Sequence, residues 1–393
     1  MNSTRTASPN QMSRRAFTTG LATGLASSLL VTSPGLADES RPVGVKRFLY
    51  VTNDPERRVD IFDIAVGHSL VRSFPMAGNK VGGACADAAS SRLFISQQTE
   101  DTVTAYDLRT ADVLWHVNTM QEYELNHPDR ISITVDGGAL YVPMKSSDQT
   151  LILDTANGKR LTQFKRPGRP HNSWSGEMGR YMYVAGRSDH TLYMADQRTH
   201  EVVKKLGPFS WPVRPFSVDR QERYLYANLT YVVGFGVGDI ETGKMAEVHR
   251  LPPLERTRHW DKAKLGLPHG DHPFSHGIAV RPEAQEVWYL DDQWGYLNVF
   301  DTSKSPMKPT FKGQVELFDK IDEPWQVPRE KDVGNCWVAF SLDGKYCYPS
   351  DGSVIDAEAG KKTSMRISPS EKLIEVEFRN GVAKRVSGQM GGV

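Results

Sequence analysis

The chain is predicted to be all-β, a seven-bladed β-propeller of four-stranded antiparallel blades whose ring is closed by the C-terminal segment. Three observations predict it. A two-strand unit recurs seven times, turn signals separate the strands throughout, and one repeat runs from residue 46 to the end at 393. The founding unit is Phe48-Leu49-Tyr50-Val51-Thr52-Asn53 followed by Val59-Asp60-Ile61-Phe62-Asp63-Ile64. Both runs alternate apolar and polar residues, the pattern of strands with one face packed and one face wet.

The copies follow in order. They are Leu93-Phe94-Ile95 with Val103 to Asp107, Leu140-Tyr141-Val142 with Leu151 to Asp154, and Met182-Tyr183-Val184 with Leu192 to Asp196. The remaining three are Leu225-Tyr226-Ala227 with Asp239, Val287-Trp288-Tyr289 with Val299 to Asp301, and Tyr346-Cys347-Tyr348 with Val354 to Asp356. Gly-containing turns such as Asp136-Gly137-Gly138, Asn157-Gly158, Thr242-Gly243 and Asp343-Gly344 punctuate them. A single four-stranded sheet cannot bury both faces, so copies must stack, and seven stacked radially close into a propeller. The Asp that ends each second strand recurs in every copy and reads as a turn cap.

The repeat resembles the β-propeller repeat family named for the tetrapeptide that stands here as Tyr50-Val51-Thr52-Asn53. Its recurrent ending matches Leu153-Asp154-Thr155-Ala156-Asn157-Gly158 and Gly238-Asp239-Ile240-Glu241-Thr242-Gly243. The resemblance implies an architecture shared with bacterial lactonases of the phosphogluconolactonase type and with the propeller subunits of quinoprotein amine dehydrogenases. Copies depart from the tetrapeptide at Leu225-Tyr226-Ala227-Asn228, Trp288-Tyr289-Leu290-Asp291 and Tyr346-Cys347-Tyr348-Pro349. Such repeats specify fold more than chemistry.

Ahead of the repeats, Ser13-Arg14-Arg15-Ala16-Phe17 precedes a mildly apolar run over residues 21–31 and then Gly35-Leu36-Ala37. This order predicts a twin-arginine export signal over residues 1–37, a linker over 38–45, one propeller domain over 46–393, and a periplasmic or secreted location. The first copy has no strand before it to complete its blade. Ser387-Gly388-Gln389-Met390-Gly391-Gly392-Val393 echoes the Ala77 to Ala84 segment, so the tail is expected to supply that strand.

Charge is balanced, 48 Lys+Arg against 47 Asp+Glu, with no long basic run, which argues against nucleic acid as a partner. Hydrophobic residues are too dispersed for a transmembrane anchor. Three cysteines, Cys85, Cys336 and Cys347, make no disulfide framework and read as buried thiols.

The inner strands should begin at equivalent points and converge on one mouth of the central channel. The residues there are Gly82-Gly83, Asp129-Arg130, His171-Asn172, Arg214-Pro215, Ser275-His276-Gly277 and Asn335-Cys336. Buried polar groups are costly unless paired or bound to something. Arg130, Arg214, Asn335 and Asp129 are therefore candidate ligand-binding residues, and His171 and His276 candidate acid–base residues. His269, His272 and His276, with His171 from across the ring, are a candidate set for a divalent metal ion. His127 reads as a loop anchor. There is no nucleophile elbow and no P-loop. The ligand this set suits is a small polar or anionic molecule or a carbohydrate. Two readings stay open: an enzyme of lactonase-like, lyase or oxidoreductase type, and a non-enzymatic module holding a partner protein or polysaccharide at the cell surface. Insertions at 250–274 and 316–333 fall on the face that carries the mouth.

Overall fold

The computed structural model describes residues 44–230, 232–249, 276–291, 296–317, 337–370 and 372–387. Seven antiparallel sheets form the blades of a ring. Blade 1 contains β1 (Val45–Asn53), β2 (Arg58–Asp63) and β3 (Ser69–Pro75). Blade 2 contains β4 (Val81–Asp87), β5 (Arg92–Gln97), β6 (Thr102–Asp107) and β7 (Val113–Asn118), and blade 3 has β8 (Ser132–Ile133), β9 (Ala139–Met144), β10 (Gln149–Asp154) and β11 (Arg160–Lys165). Blade 4 has β12 (Pro170–Ser175), β13 (Tyr181–Gly186), β14 (Leu192–Asp196) and β15 (Val202–Leu206); blade 5 has β16 (Val213–Val218), β17 (Tyr224–Leu229), β18 (Gly234–Asp239) and β19 (Met245–His249). Blade 6 has β20 (Gly277–Val280), β21 (Glu286–Asp291), β22 (Tyr296–Asp301) and β23 (Thr310–Glu316), and blade 7 has β24 (Val338–Phe340), β25 (Tyr346–Pro349), β26 (Ser353–Asp356) and β27 (Lys361–Arg366). The chain ends in β28 (Leu373–Arg379) and β29 (Val382–Val386).

Every repeat unit read from the sequence is the middle strand pair of one blade. The expectation of one wet face per strand fails, however. In β5 Leu93, Phe94, Ile95 and Ser96 are all buried, and β9 is buried from end to end. Blades stack face to face, so both sides of their inner strands are covered. Exposure instead rises radially, and the outermost strands β3 and β11 are mostly exposed.

The recurring aspartates cap turns. Each accepts a backbone N–H two residues on, or three in one blade: Asp63 from Ala65, Asp107 from Arg109, Asp154 from Ala156, Asp196 from Arg198, Asp239 from Thr242, Asp301 from Ser303 and Asp356 from Glu358. The carboxylate satisfies donors that the tight turn would otherwise leave open.

The C-terminal region does close the ring, but through a different segment from the one expected. β28 pairs with β1 in continuous antiparallel register from Val45↔Arg379 to Val51↔Leu373, and β29 adds a fifth strand to that sheet. The closing strand is thus 373–379. Of the tail expected in that place, residues 388–393 lie outside the described residues. Closure is hydrophobic and ionic. Leu49, Tyr50 and Val51 share a core with Leu373, Ile374, Val376, Tyr348 and Val354, and Arg47 pairs with buried Glu375 and with Asp343. Cys85 and Cys347 are buried free thiols, as expected. No helix among the described residues is long and apolar enough to cross a membrane.

Candidate functional site

Two adjacent glycines make the site possible. A Cβ at Gly82 would stand 2.5 Å from the Pro128 carbonyl oxygen, and one at Gly83 would stand 2.5 Å from the Ile131 nitrogen and 2.7 Å from the Arg130 Cα. Without side chains there, β4 lies directly against the 128–131 segment, and Ser96 Oγ donates to the Asp129 carbonyl at 2.7 Å. On its other side that segment pairs in parallel with β12: Arg130 N donates to His171 O at 3.2 Å and Ser173 N to Arg130 O at 3.1 Å. Asp129 and Arg130 are therefore held beside His171 and Asn172 by backbone pairing, reinforced by the Ser96 hydroxyl on the Asp129 carbonyl and the Ser173 hydroxyl on the Arg130 carbonyl.

Asp129 is fully buried and gathers three blades. It accepts from Gln98 Nε2 at 2.9 Å, from Arg130 Nη1 at 3.0 Å and from His171 Nδ1 at 2.6 Å, with Lys145 Nζ at 3.8 Å. Burial alone would raise its carboxyl; the neighbouring His171 and Arg130, with Lys145 behind them, more than reverse this and hold it well below the usual carboxylate range. His171 is shifted down as well, for a different reason. Burial, helped by Arg130 and opposed by Asp129, keeps its pKa well below that of a free imidazole, so the ring is neutral. With its Nδ1–H on Asp129, its Nε2 lone pair faces Arg130 Nη1 at 2.9 Å. Both ring nitrogens are engaged within the protein.

From blade 3, Arg130 reaches over the Trp337 ring of blade 7, its Cζ 3.8 Å from the ring centroid, and Lys372 Nζ stands 4.7 Å from the same centroid. His276 packs edge-on against Trp337 with centroids 4.2 Å apart, and its ring lies 6.5 Å from that of His171. Burial, then the charges of Arg214 and Arg130, keep His276 neutral. Arg214 is buried on β16 and acts electrostatically on both histidines. Lys145, in the loop between β9 and β10, has its pKa lowered to about 8 by burial and by Arg187, Arg130 and Lys80, against the pull of Asp129.

Several polar atoms at the mouth have no hydrogen-bond partner: Nδ2 and Oδ1 of Asn172, Nδ1 of His276 and Nε1 of Trp337. All three residues are 2% exposed. Buried polar atoms without partners are rare, and an absent ligand or water is a standard reason for them.

The expected convergence is therefore present for Asp129, Arg130, His171, Arg214 and His276. Asn335, His269 and His272 lie outside the described residues, and among the described residues no group of three His, Cys, Asp or Glu side chains is arranged to hold a metal ion. His127 is a loop anchor, its N–H on Asp101 and its Nδ1 on Ser146 Oγ at 2.9 Å. Sequence reasoning missed Trp337, Lys372, Lys145 and Gln98. Trp337 directly follows Asn335-Cys336 and was within reach of the same register argument. Lys372 was hidden by the misplaced closing strand, whereas Lys145 and Gln98 come from loops between second and third strands.

Fold and site together define a seven-bladed β-propeller with a polar, cation-rich mouth to its channel. Among solved structures, the chain is similar to dihydro-heme d1 dehydrogenase NirN in complex with DHE, with a TM-score of 0.54, 15% identity, and coverage of 85% of this chain and 75% of that one. At that identity the likeness establishes the fold. No family model matches the chain, and no curated protein matches it by sequence.

Proposed function

We propose that this protein is an exported propeller of the repeat type it resembles, and that it binds a small anionic molecule at the mouth of its channel. The observation that carries the reading is the set of buried, unpartnered polar atoms on Asn172, His276 and Trp337, with Arg130 and Lys372 against the Trp337 ring and Arg214 acting on His276. Such atoms are costly in a bare protein, and the cations around them select a negative ligand. NirN, similar in fold and solved in complex with DHE, supports a propeller of this kind as a small-molecule scaffold. The test is calorimetric titration of the purified chain with small carboxylates. Truncating a buried charged group that holds a ligand costs about 2–5 kcal/mol, so Arg214→Ala is expected to weaken binding by at least tenfold. Unchanged binding in Arg130→Ala and Arg214→Ala together overturns the reading.

One observation favours a catalytic role in addition. An amine with a pKa near 8, as at Lys145, is suited to accept a proton at neutral pH. Turnover would then carry an ionisation near that value, and Lys145→Met would remove it; a profile unchanged by that substitution removes Lys145 from the chemistry. Export through residues 1–37 predicts a processed periplasmic protein, with unprocessed precursor accumulating when Arg14 and Arg15 are both changed to Lys. Full processing of that variant refutes the twin-arginine route.

A further inference from the structure

The amine of Lys145 is placed for more than proton transfer. Its backbone is pinned: Lys145 N donates to His127 O at 3.0 Å, Asp129 N donates to Pro143 O at 2.9 Å, and Pro128 bridges Met144. With the chain fixed there, Nζ stands 3.8 Å from Asp129 Oδ2, beyond hydrogen-bond range. The Asp129 oxygens are already taken by Gln98, Arg130 and His171. Lys145 Nζ makes no hydrogen bond among the described residues. It is not sealed off either, since the side chain keeps 16% of its surface exposed. The charged groups acting on it are Asp129, which favours the ammonium, and Arg187, Arg130 and Lys80, which oppose it. Burial and neighbouring cations are the two conditions that turn a lysine amine into a nucleophile, because both leave its lone pair unprotonated.

Resting on the reading of Lys145 as a reactive amine, we infer that it is a covalent site for a small aldehyde or ketone, which it captures as an imine. The Nζ lone pair attacks the carbonyl carbon while the C=O π electrons move to oxygen. One amine proton passes to that oxygen, and the carbinolamine then loses its hydroxyl together with the second amine proton as water. A C=N bond replaces the C=O bond, and neither partner is oxidised or reduced. The step asks for no charge on the carbonyl compound, so it does not depend on the anion reading.

The test incubates the full chain at pH 7 with butanone and cyanoborohydride, which reduces an imine to a stable secondary amine, and reads the labelled lysines by peptide mass spectrometry. At pH 7 an amine with a pKa of about 8 is roughly one-tenth neutral, and an ordinary lysine amine, at about 10.4, less than one-thousandth. Nucleophilicity falls with basicity, for thiolates by about half the pKa difference on a logarithmic scale, so labelling at Lys145 is expected to be at least about tenfold faster than at exposed lysines. Lys145→Met should abolish that label; should the variant not fold, the wild-type rates decide alone. Labelling at Lys145 no faster than at exposed lysines overturns the inference. Trace acetylation with acetic anhydride across pH then separates the two roles. An amine that ionises near pH 8 yet traps no ketone keeps its proton-accepting role, whereas one that ionises at the ordinary value loses both.

Discussion

Replacing Asp129 with Asn removes one negative charge and almost no volume. The carboxylate is fully buried and accepts from Gln98, Arg130 and His171 at 2.9, 3.0 and 2.6 Å. An amide in its place puts an N–H against at least one of these donors and leaves the Arg130 guanidinium without its nearby anion. Removing one partner of a buried ion pair costs about 3–5 kcal/mol, and that is the loss of stability expected. The assay is urea denaturation of the wild type, Asp129→Asn, Arg130→Gln and the double variant. Residues that act as a pair should show a coupling energy of roughly 1–3 kcal/mol. The acid limb supplies a second check. Because the folded-state pKa of Asp129 is depressed, its contribution is present above the unfolded value of about 4 and is lost as pH falls toward the folded value. The deficit of Asp129→Asn should therefore be full at neutral pH and shrink below about pH 4. Additive single effects, or a deficit independent of pH, would refute the pairing.

Further perturbations test the surrounding structure. Gly83→Ala drives a Cβ into the backbone at 130–131, and overpacking of this kind costs about 1–3 kcal/mol; anion binding should fall in the same variant, since Arg130 is displaced. Arg47→Ala leaves Glu375 buried without its cation and should cost roughly 3 kcal/mol, with part of that recovered on adding Glu375→Gln; thermal unfolding measures both. His68, His171 and His276 are held neutral, His68 with its pKa lowered to about 4 chiefly by burial. The unfolded chain takes up protons below about pH 6.5 where the fold does not. Stability should accordingly decline from that pH down to about 4, and His68→Gln should flatten part of the slope. Cys85 and Cys347, buried and with thiol pKa values pushed up by burial, should react with a thiol reagent only after unfolding.

How much could be read in advance differs by element. The pair Leu140-Tyr141-Val142 and Leu151 to Asp154 announces a hairpin by its alternation and its final Asp, and it is β9 with β10. The closing strand carried a comparable signal in Leu373-Ile374-Glu375-Val376-Glu377-Phe378. It lacks the Asp-capped partner that marks the other copies, because its partner β1 lies at the opposite end of the chain. The one-wet-face expectation failed for a related reason. Alternation reports the two faces of an isolated sheet, whereas burial here follows distance from the axis.

From sequence alone came the number of blades, the strand pairs that define them, the capping aspartates and the register that aims Arg130, His171, Arg214 and His276 at one mouth. These are local and periodic properties, written in neighbouring residues and repeated seven times. Only the tertiary structure decided which partners those side chains find there. It fixed both nitrogens of His171 on Asp129 and Arg130, brought Trp337 and Lys372 against Arg130, and left Asn172 and His276 with polar atoms unanswered. Contacts across a ring join residues hundreds of positions apart, and the ångström-scale distances that separate a satisfied group from a waiting one have no periodicity to betray them.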